Sequence, residues 1–155
     1  MTKLVPMAAA DYARFCATAI PGFAADKVAA GQWQAEESLE LARKAYEHLL
    51  PDGLATANHY LYCVVGDHDE VVGMLWFAAK EQAGRRIAYI NEIEIQPEHR
   101  RRGHARRALE AAEAEARKLG LEGIGLHVFG HNAGARALYE SLGYQPTNIN
   151  MFKPL

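Results

Sequence analysis

Between Gln96 and Gly120 the sequence reads QPEHRRRGHARRALEAAEAEARKLG, a basic, glycine-containing turn that leads directly into a helix. The isoleucine-rich run from Arg86 to Gln96 predicts a strand that Pro97 ends. After the turn, apolar residues recur at helical spacing from Ala105 to Leu119. The free backbone N–H groups at a helix start attract phosphate oxygens, and a glycine lets the backbone approach them. The segment therefore predicts a strand, a phosphate-binding turn and a helix.

Two well-known phosphate-binding patterns are absent from this turn. The Walker A loop requires G-x-x-x-x-G-K-[ST] and the dinucleotide fingerprint requires G-x-G-x-x-G, and neither surrounds Gly103. This argues against nucleoside triphosphate and NAD binding. The arginines beside Gly103 add positive charge and bidentate donors, although a basic helix start can also face water without any ligand.

Length and composition predict a single domain, residues 1–155, in a reducing compartment. Half of the 155 residues are hydrophobic, so the chain can bury a full core. The formal net charge of -2 argues against nucleic acid or an anionic membrane as a partner. Only Cys16 and Cys63 occur and no secretory signal is visible, so we expect a cytoplasmic protein without disulfides. The seven histidines lack the spacing of a zinc site, and we expect no metal.

The rest of the chain predicts a mixed sheet with helices on its faces. We expect strands at residues 4–7, on both sides of a turn at 66–69, at 86–96, at 123–129 and at 148–152. We expect helices at residues 10–31, kinked or split at Pro21, at 34–50, from 105 to 119 and at 132–142. Hairpins followed by a strand–helix–strand–helix unit are typical of an α+β fold.

A second motif, LHVFGHNAGARALYESLGY at residues 126–144, places polar side chains on a short helix directly after a strand. Asn132 is suited to cap this helix and Tyr139 to pack in the core, so neither residue needs a functional role when it is considered alone. Considered with the basic turn, the two residues favour a functional interpretation.

Together the two motifs resemble the GNAT superfamily of acyl-CoA-dependent N-acetyltransferases. The family pattern [QR]-x-x-G-x-[GA] matches Arg100, Gly103 and Ala105. The later pattern N-x-x-x-x-x-x-Y-E-x-x-G-[FY] begins at Asn132 and includes Tyr139. The resemblance covers essentially the whole chain. It implies a predominantly antiparallel mixed sheet of six to seven strands with helices on both faces.

The resemblance also implies a binding path for acetyl-CoA. The backbone of the turn would hold the pyrophosphate, through residues Arg100, Arg101, Arg102, Gly103, His104 and Ala105. Arg101 stands where many members have glycine, which concerns the packing of the loop's side chains rather than its amides. The strand backbone near Ile93 and Ile95 would pair with the pantetheine arm, and a backbone N–H there would stabilise the oxyanion. On the later helix, Asn132 and Arg136 would contact the cosubstrate, and Tyr139 would protonate the leaving thiolate.

The general base is left open by the sequence. Strand alternation places Glu92 and Glu94 on one face, and His127 on the next strand has an ordinary pKa near 6.5 that suits proton uptake. The glutamates could equally be solvated and His127 a packing residue, and water could relay the proton instead. A base matters most for a lysine-like amine, whose deprotonation at pH 7 costs about 4.6 kcal/mol, against about 1 kcal/mol for an α-amino group.

We therefore predict an N-acetyltransferase that moves an acetyl group from acetyl-CoA to a primary amine of a small molecule or peptide by direct attack. The N-terminal helices, the loop around Trp33 and the segment near His59 would select the acceptor, and a homodimer is compatible with the fold. One alternative is a noncatalytic acyl-CoA-binding regulatory module, against which Tyr139 argues. Another is a nucleic-acid contact at residues 100–107, against which the overall charge argues.

Overall fold

Five strands and four α-helices make up the computed structural model, which describes residues Met1–Leu155. In chain order the elements are β1 (Lys3–Pro6), α1 (Ala9–Ala29), α2 (Ala35–Leu49), β2 (His59–Val65), β3 (Val71–Gln82), β4 (Arg85–Ile95), α3 (His104–Lys118), β5 (Gly123–Leu126) and α4 (Ala133–Ser141). Short 3-10 turns lie at Gly53–Ala55 and Pro97–His99. None of the helices combines the length and apolarity that a membrane crossing requires.

The sheet runs in the order β1-β2-β3-β4-β5. The first three strand pairs are antiparallel, whereas β4 and β5 are parallel because α3 carries the chain back to the other end of the sheet. The predicted mixed, mainly antiparallel sheet is confirmed, but the expected number of six to seven strands is wrong, because the sheet has five. Residues 145–155 form no strand. Asparagines disfavour strands, and Ile149 and Met151 remain 65% and 93% exposed, so no buried face stabilises pairing there.

Helices cover both faces of the sheet, as predicted. On one face Leu75 and Phe77 of β3 pack with Leu109 of α3. On the other face Trp76 packs with Tyr46 of α2 and with residues of α1. Because neighbouring residues of β3 point to opposite faces and both faces are covered, the middle of the strand is apolar at every position.

The first helix is continuous through Pro21, so the expected split at this residue is wrong. Proline removes one backbone donor, which ordinarily disfavours a helix interior. Here Phe15, Ala19 and Ala24 on either side of the proline are buried, while Pro21 itself is exposed. Packing of the flanking turns against the protein core therefore holds the helix together across the missing hydrogen bond.

A β-bulge interrupts β4 at Asn91. Glu92 pairs with Trp76 and Ile90 pairs with Phe77, so Asn91 is an extra residue with no partner on β3. A bulge of this kind bends the strand and increases its local twist. It therefore divides β4 into a first half and a redirected second half.

β4 and β5 part at this bulge. Their last pair is Ile90 with Leu126, and β4 continues through residues 91–95 without a strand on that side. The predicted strand at residues 123–129 thus ends at Leu126, because the neighbouring strand bends away. The second half of β4 is left with one free backbone edge.

Candidate functional site

The space between the diverging ends of β4 and β5 is a cleft of about 390 Å³. Its walls come from α1, α2, β3, β4, the loop after β5 and α4, and they include Tyr46, Glu92, His127, Asn132 and Tyr139. A second hollow of about 360 Å³, between α1 and α2, is mostly apolar and holds none of the predicted site residues. No cluster of His, Cys, Asp or Glu side chains suited to a metal ion occurs. The cleft thus brings together three of the four predicted catalytic side chains: Glu92, His127 and Tyr139.

Glu92 has the most perturbed carboxyl group of the cleft. Burial raises the pKa of Glu92 to about 8, and the negative charges of Glu94 and Asp26 act in the same direction. The Tyr46 hydroxyl partly opposes this by favouring the charged form. Burial in turn raises the pKa of Tyr46. A carboxyl group that titrates near neutral pH inside a cleft is suited to accept a proton during a reaction.

The other two candidate bases are placed differently. Glu94 shares a face with Glu92, as predicted, but it lies 3.8 Å from Arg100 and outside the cleft lining. His127 lines the cleft, but from the loop after β5 rather than from the strand, which corrects the prediction. Desolvation and the charge of Lys27 both lower the pKa of His127, which favours the neutral form of the ring. Glu92 is therefore the candidate base that the fold brings into the cleft with a raised proton affinity.

Tyr139 lies in α4 and faces the cleft from the side of the sheet that α3 covers. Tyr46 belongs to the core on the opposite face, so the two phenols flank the cleft from opposite faces of the sheet. Burial and the charge of Glu92 raise the pKa of Tyr139. The phenol therefore keeps its proton at neutral pH and can donate it when a stronger base forms nearby.

The start of α4 carries the other two predicted contacts of that helix. Asn132 caps it, since the Asn132 side chain accepts a hydrogen bond from Ala135 N at 3.3 Å, which confirms the capping interpretation. Asn132 also lines the cleft. Arg136 is exposed, donates to Glu140 at 2.9 Å and does not line the cleft. A cosubstrate role for Arg136 stays a prediction.

The basic turn before α3 has the geometry of an anion site. Gly103 is the N-terminal cap residue at φ +82°, and no side chain caps the first turn of α3. The first-turn N–H groups are therefore available to an anion, beside the positive end of the helix dipole. The backbone of Arg101 also has the left-handed conformation, with φ +62°, which glycine adopts more easily than other residues do. Glycine would therefore suit this position better than arginine does.

Hydrogen bonds to Thr2, near the N-terminus, hold this turn in place. The buried Thr2 hydroxyl lies 2.9 Å from Nδ1 of the buried His104 and accepts a hydrogen bond from Arg107 Nε at 2.8 Å. Arg107 also donates to the carbonyl of Arg102 at 2.8 Å. The His104 side chain is thus structural, and only its backbone N–H is available for the predicted phosphate contact.

The remaining arginines of the turn fall into two groups. Arg100 folds back onto β4, where its Nε donates to the carbonyl of Ile95 at 2.8 Å. The side chains of Arg101 and Arg102 are exposed and make no ion pair or hydrogen bond within the chain. Those two guanidinium groups are free to add charge beside the helix start, whereas Arg100 organises the end of the strand.

Ile93 lines the cleft, whereas Ile95 lies outside its lining. The side chain of Ile95 is buried in the core on the α3 face, and that of Ile93 packs against the same core. Because both residues lie beyond the last pair with β5, the strand edge here is open to the cleft. An extended ligand could add to this edge as a strand would.

Sequence reasoning placed the N-terminal helices near the acceptor but named none of the α1 residues that line the cleft. Phe23, Asp26 and Lys27 line the cleft, where they meet Phe129 of the loop after β5. About one hundred residues separate these segments along the chain, so no local pattern links them. By contrast His59, expected near the acceptor, accepts a hydrogen bond at its Nδ1 from Trp76 Nε1 at 2.9 Å and does not line the cleft. The bulge could have been predicted from Asn91, because asparagine is unusual within an isoleucine-rich strand.

Comparison with known proteins agrees with this geometry. The model of the acetyltransferase (GNAT) family matches residues 27–144. Two Bacillus subtilis (strain 168) proteins, the uncharacterised N-acetyltransferases YycN and YdgE, are each 34% identical over 152 residues, covering 98% of this chain and 97% of the relative.

Solved structures share the same fold. The crystal structure of YycN from Bacillus subtilis superposes with a TM-score of 0.95 at 34% identity, covering 100% of this chain and 99% of that one. A GCN5-related N-acetyltransferase from Ralstonia eutropha JMP134 has a TM-score of 0.72 at 22% identity, covering 100% of this chain and 99% of that one, which shows the fold alone. The family match, the full-length relatives and the parted β4 and β5 strands lead to one conclusion: this chain belongs to the GNAT family of acetyltransferases.

Proposed function

We propose that this protein transfers an acetyl group from acetyl-CoA to a primary amine by direct attack of the amine on the thioester. The observation that carries the proposal is the presence of Glu92 and Tyr139 in one cleft, at the point where β4 and β5 part. Burial and nearby negative charge raise the pKa of both side chains, and shifted pKa values are common among acid–base catalysts.

The residues present fit acetyl-CoA at both ends. The uncapped start of α3 with Gly103 suits the pyrophosphate, and the free edge of β4 at residues 91–95 suits the amide-bearing pantetheine arm. Asn132 lies on the opposite wall of the cleft and could bond the same arm. These elements direct a bound thioester toward Glu92.

Acetyl-CoA would supply an activated acyl group: the carbonyl carbon bonds to the amine nitrogen, the C–S bond breaks, and CoA leaves as a thiolate. Glu92, in its ionised form, takes a proton from the amine nitrogen. Tyr139 gives its proton to the departing sulfur. A backbone N–H on the free edge of β4 stabilises the negative charge that develops on the carbonyl oxygen. No side chain is acylated, so the proton lost by the amine balances the proton gained by the thiolate.

The test is acetyl transfer from acetyl-CoA across a panel of small amines, polyamines, amino acids and peptides, read by mass spectrometry. Binding of acetyl-CoA is measured in parallel by calorimetry. We expect transfer to at least one class of acceptor and a large loss of rate in Tyr139→Phe. Tight binding of acetyl-CoA without transfer to any acceptor would instead favour a noncatalytic acyl-CoA-binding module. Absence of binding would refute the proposal.

A further inference from the structure

Lys27 is the only lysine or arginine that lines the cleft. Its ammonium group makes one hydrogen bond, to the neutral side chain of Gln32 at 2.8 Å, and has no carboxylate within 4 Å. The neighbouring Asp26 carboxylate is directed to His131, at 3.3 Å. Lys27 is half-buried, so it is a partly desolvated cation without an anionic partner.

Three aromatic rings fix the position of this cation. The Lys27 Nζ atom lies 5.6 Å from the ring centre of Phe23, 5.5 Å from that of Trp33 and 6.0 Å from that of Phe129. The rings come from α1, from the connection to α2 and from the loop after β5, so the ammonium is held where these segments meet. Cation–π contacts use the charge but not the N–H groups, and an ammonium has three donors. Two donors of Lys27 are therefore left for another acceptor.

The cleft thus carries a free cation and a proton acceptor at separate positions. Glu92 receives the attacking amine in the proposed reaction, so the amine end of the acceptor is already placed. The positive charge of Lys27 contributes to the lowered pKa of His127, which lies on the loop that borders the same cleft. Asp26 also lines the cleft, but its carboxylate is directed to His131, so an anionic group on a small acceptor is attracted to Lys27.

We propose that Lys27 binds the carboxylate of the acceptor, so that the substrate class is small amino acids with a free amine. The assignment rests on the proposed function, because it specifies which amines that site accepts. The aromatic rings around Lys27 would also contact the apolar part of such an acceptor. A polyamine offers an amine to Glu92 but has no carboxylate to bind Lys27.

The experiment compares acceptor pairs that differ only in the carboxylate, an amino acid and its primary amide, with rates corrected for the fraction of unprotonated amine. In the wild-type protein we expect kcat/KM to be about 10- to 100-fold higher for the amino acid, the effect of one charge-assisted hydrogen bond from a partly buried cation. In Lys27→Met we expect the ratio of the two kcat/KM values to fall to about one. The change should come from a higher KM for the amino acid, while kcat/KM for the amide stays the same.

Two further variants separate charge from structure. Methionine keeps an apolar stem among the rings, and Lys27→Arg restores the charge and should restore the preference for the amino acid. Lys44→Met is the matched control, because Lys44 is an exposed lysine of α2, 4.0 Å from Glu40 and outside the cleft. It should leave the ratio unchanged.

The outcomes distinguish this assignment from the proposed function. Equal kcat/KM for both members of every pair would overturn the role of Lys27 while N-acetyl transfer stands. A preference for the amino acid that persists in Lys27→Met, or that Lys27→Arg fails to restore while amide activity is retained, would overturn it as well. Transfer to neither member of any pair, with transfer to a polyamine or a peptide, would overturn this assignment while the proposed function stands; transfer to no amine at all would refute both.

Discussion

Replacing Glu92 by glutamine removes the proposed base and a buried charge at once, and the two effects have opposite signs. Activity should fall, because a positioned general base contributes about 10²- to 10⁴-fold. Stability at alkaline pH should rise, because the native protein no longer has to hold an ionised carboxylate beside Glu94 and Asp26. Few substitutions in the chain are expected to act in this opposed way.

The size and sign of the stability effect follow from the pKa of Glu92, which is raised from 4.5 to about 8 on folding. Between these two values the native protein keeps a proton that the unfolded chain has lost. Wild-type stability therefore falls as the pH rises through this window; the contribution is complete below pH 4.5 and lost above pH 8. Full conversion at about 1.4 kcal/mol per pKa unit gives an upper limit of about 5 kcal/mol. Because Glu92 is partly open to water, we expect Glu92→Gln to gain about 1–3 kcal/mol at pH 9 and nothing at pH 4.

The pH dependence of turnover is the second readout. With a pKa of about 8, roughly one Glu92 side chain in ten is ionised at pH 7. We therefore expect wild-type kcat/KM, corrected for the fraction of unprotonated acceptor amine, to rise about tenfold per pH unit below pH 8 and to level off above it. Glu92→Gln should lose this inflection and keep only the titration of the acceptor amine.

Denaturant unfolding at pH 4, 7 and 9, followed by circular dichroism, measures the first effect, and steady-state acetyl transfer from pH 6 to 9 measures the second. Glu40→Gln is the matched control, since Glu40 is an exposed carboxylate of α2, and it should change neither quantity. A free energy of unfolding for Glu92→Gln that is lower than wild type at pH 9, or a difference that does not vary with pH, would refute the reasoning. An unchanged pH–rate profile would remove Glu92 as the base.

Tyr139→Phe should lower kcat by about 10²- to 10³-fold with little change in acetyl-CoA affinity, because it removes a proton donor but not a binding contact; an unchanged kcat excludes Tyr139 as the acid. Gly103→Glu should weaken acetyl-CoA binding at least tenfold but spare acetyl-pantetheine, since a side chain at φ +82° is strained and adds negative charge at the pyrophosphate position. Equal losses with both thioesters would contradict the loop assignment. Leu109→Ala, at a position that is 0% exposed, should lower the free energy of unfolding by about 2–5 kcal/mol in denaturant melts, and a cost below 1 kcal/mol would contradict its place in the core.

Features that depend on neighbours along the chain could be predicted from the sequence. The strand, turn and helix around Gly103 are local, since β-branched periodicity, a terminating proline and a helix-start glycine act over a few residues. The cap at Asn132 is local for the same reason, and the shared face of Glu92 and Glu94 follows from strand alternation. The family resemblance rests on these same short motifs.

The sequence by itself therefore determined the α+β class, the glycine-containing turn before a helix and the short list of candidate acid–base residues. Only the tertiary structure decided which of them act together. The bulge at Asn91 and the early end of β5 open the cleft, and long-range packing brings the end of α1, with Lys27, against the loop after β5. It also decides that Glu92 lies in the cleft with a raised pKa, because burial and the fields of distant charges depend on the whole fold and not on sequence spacing.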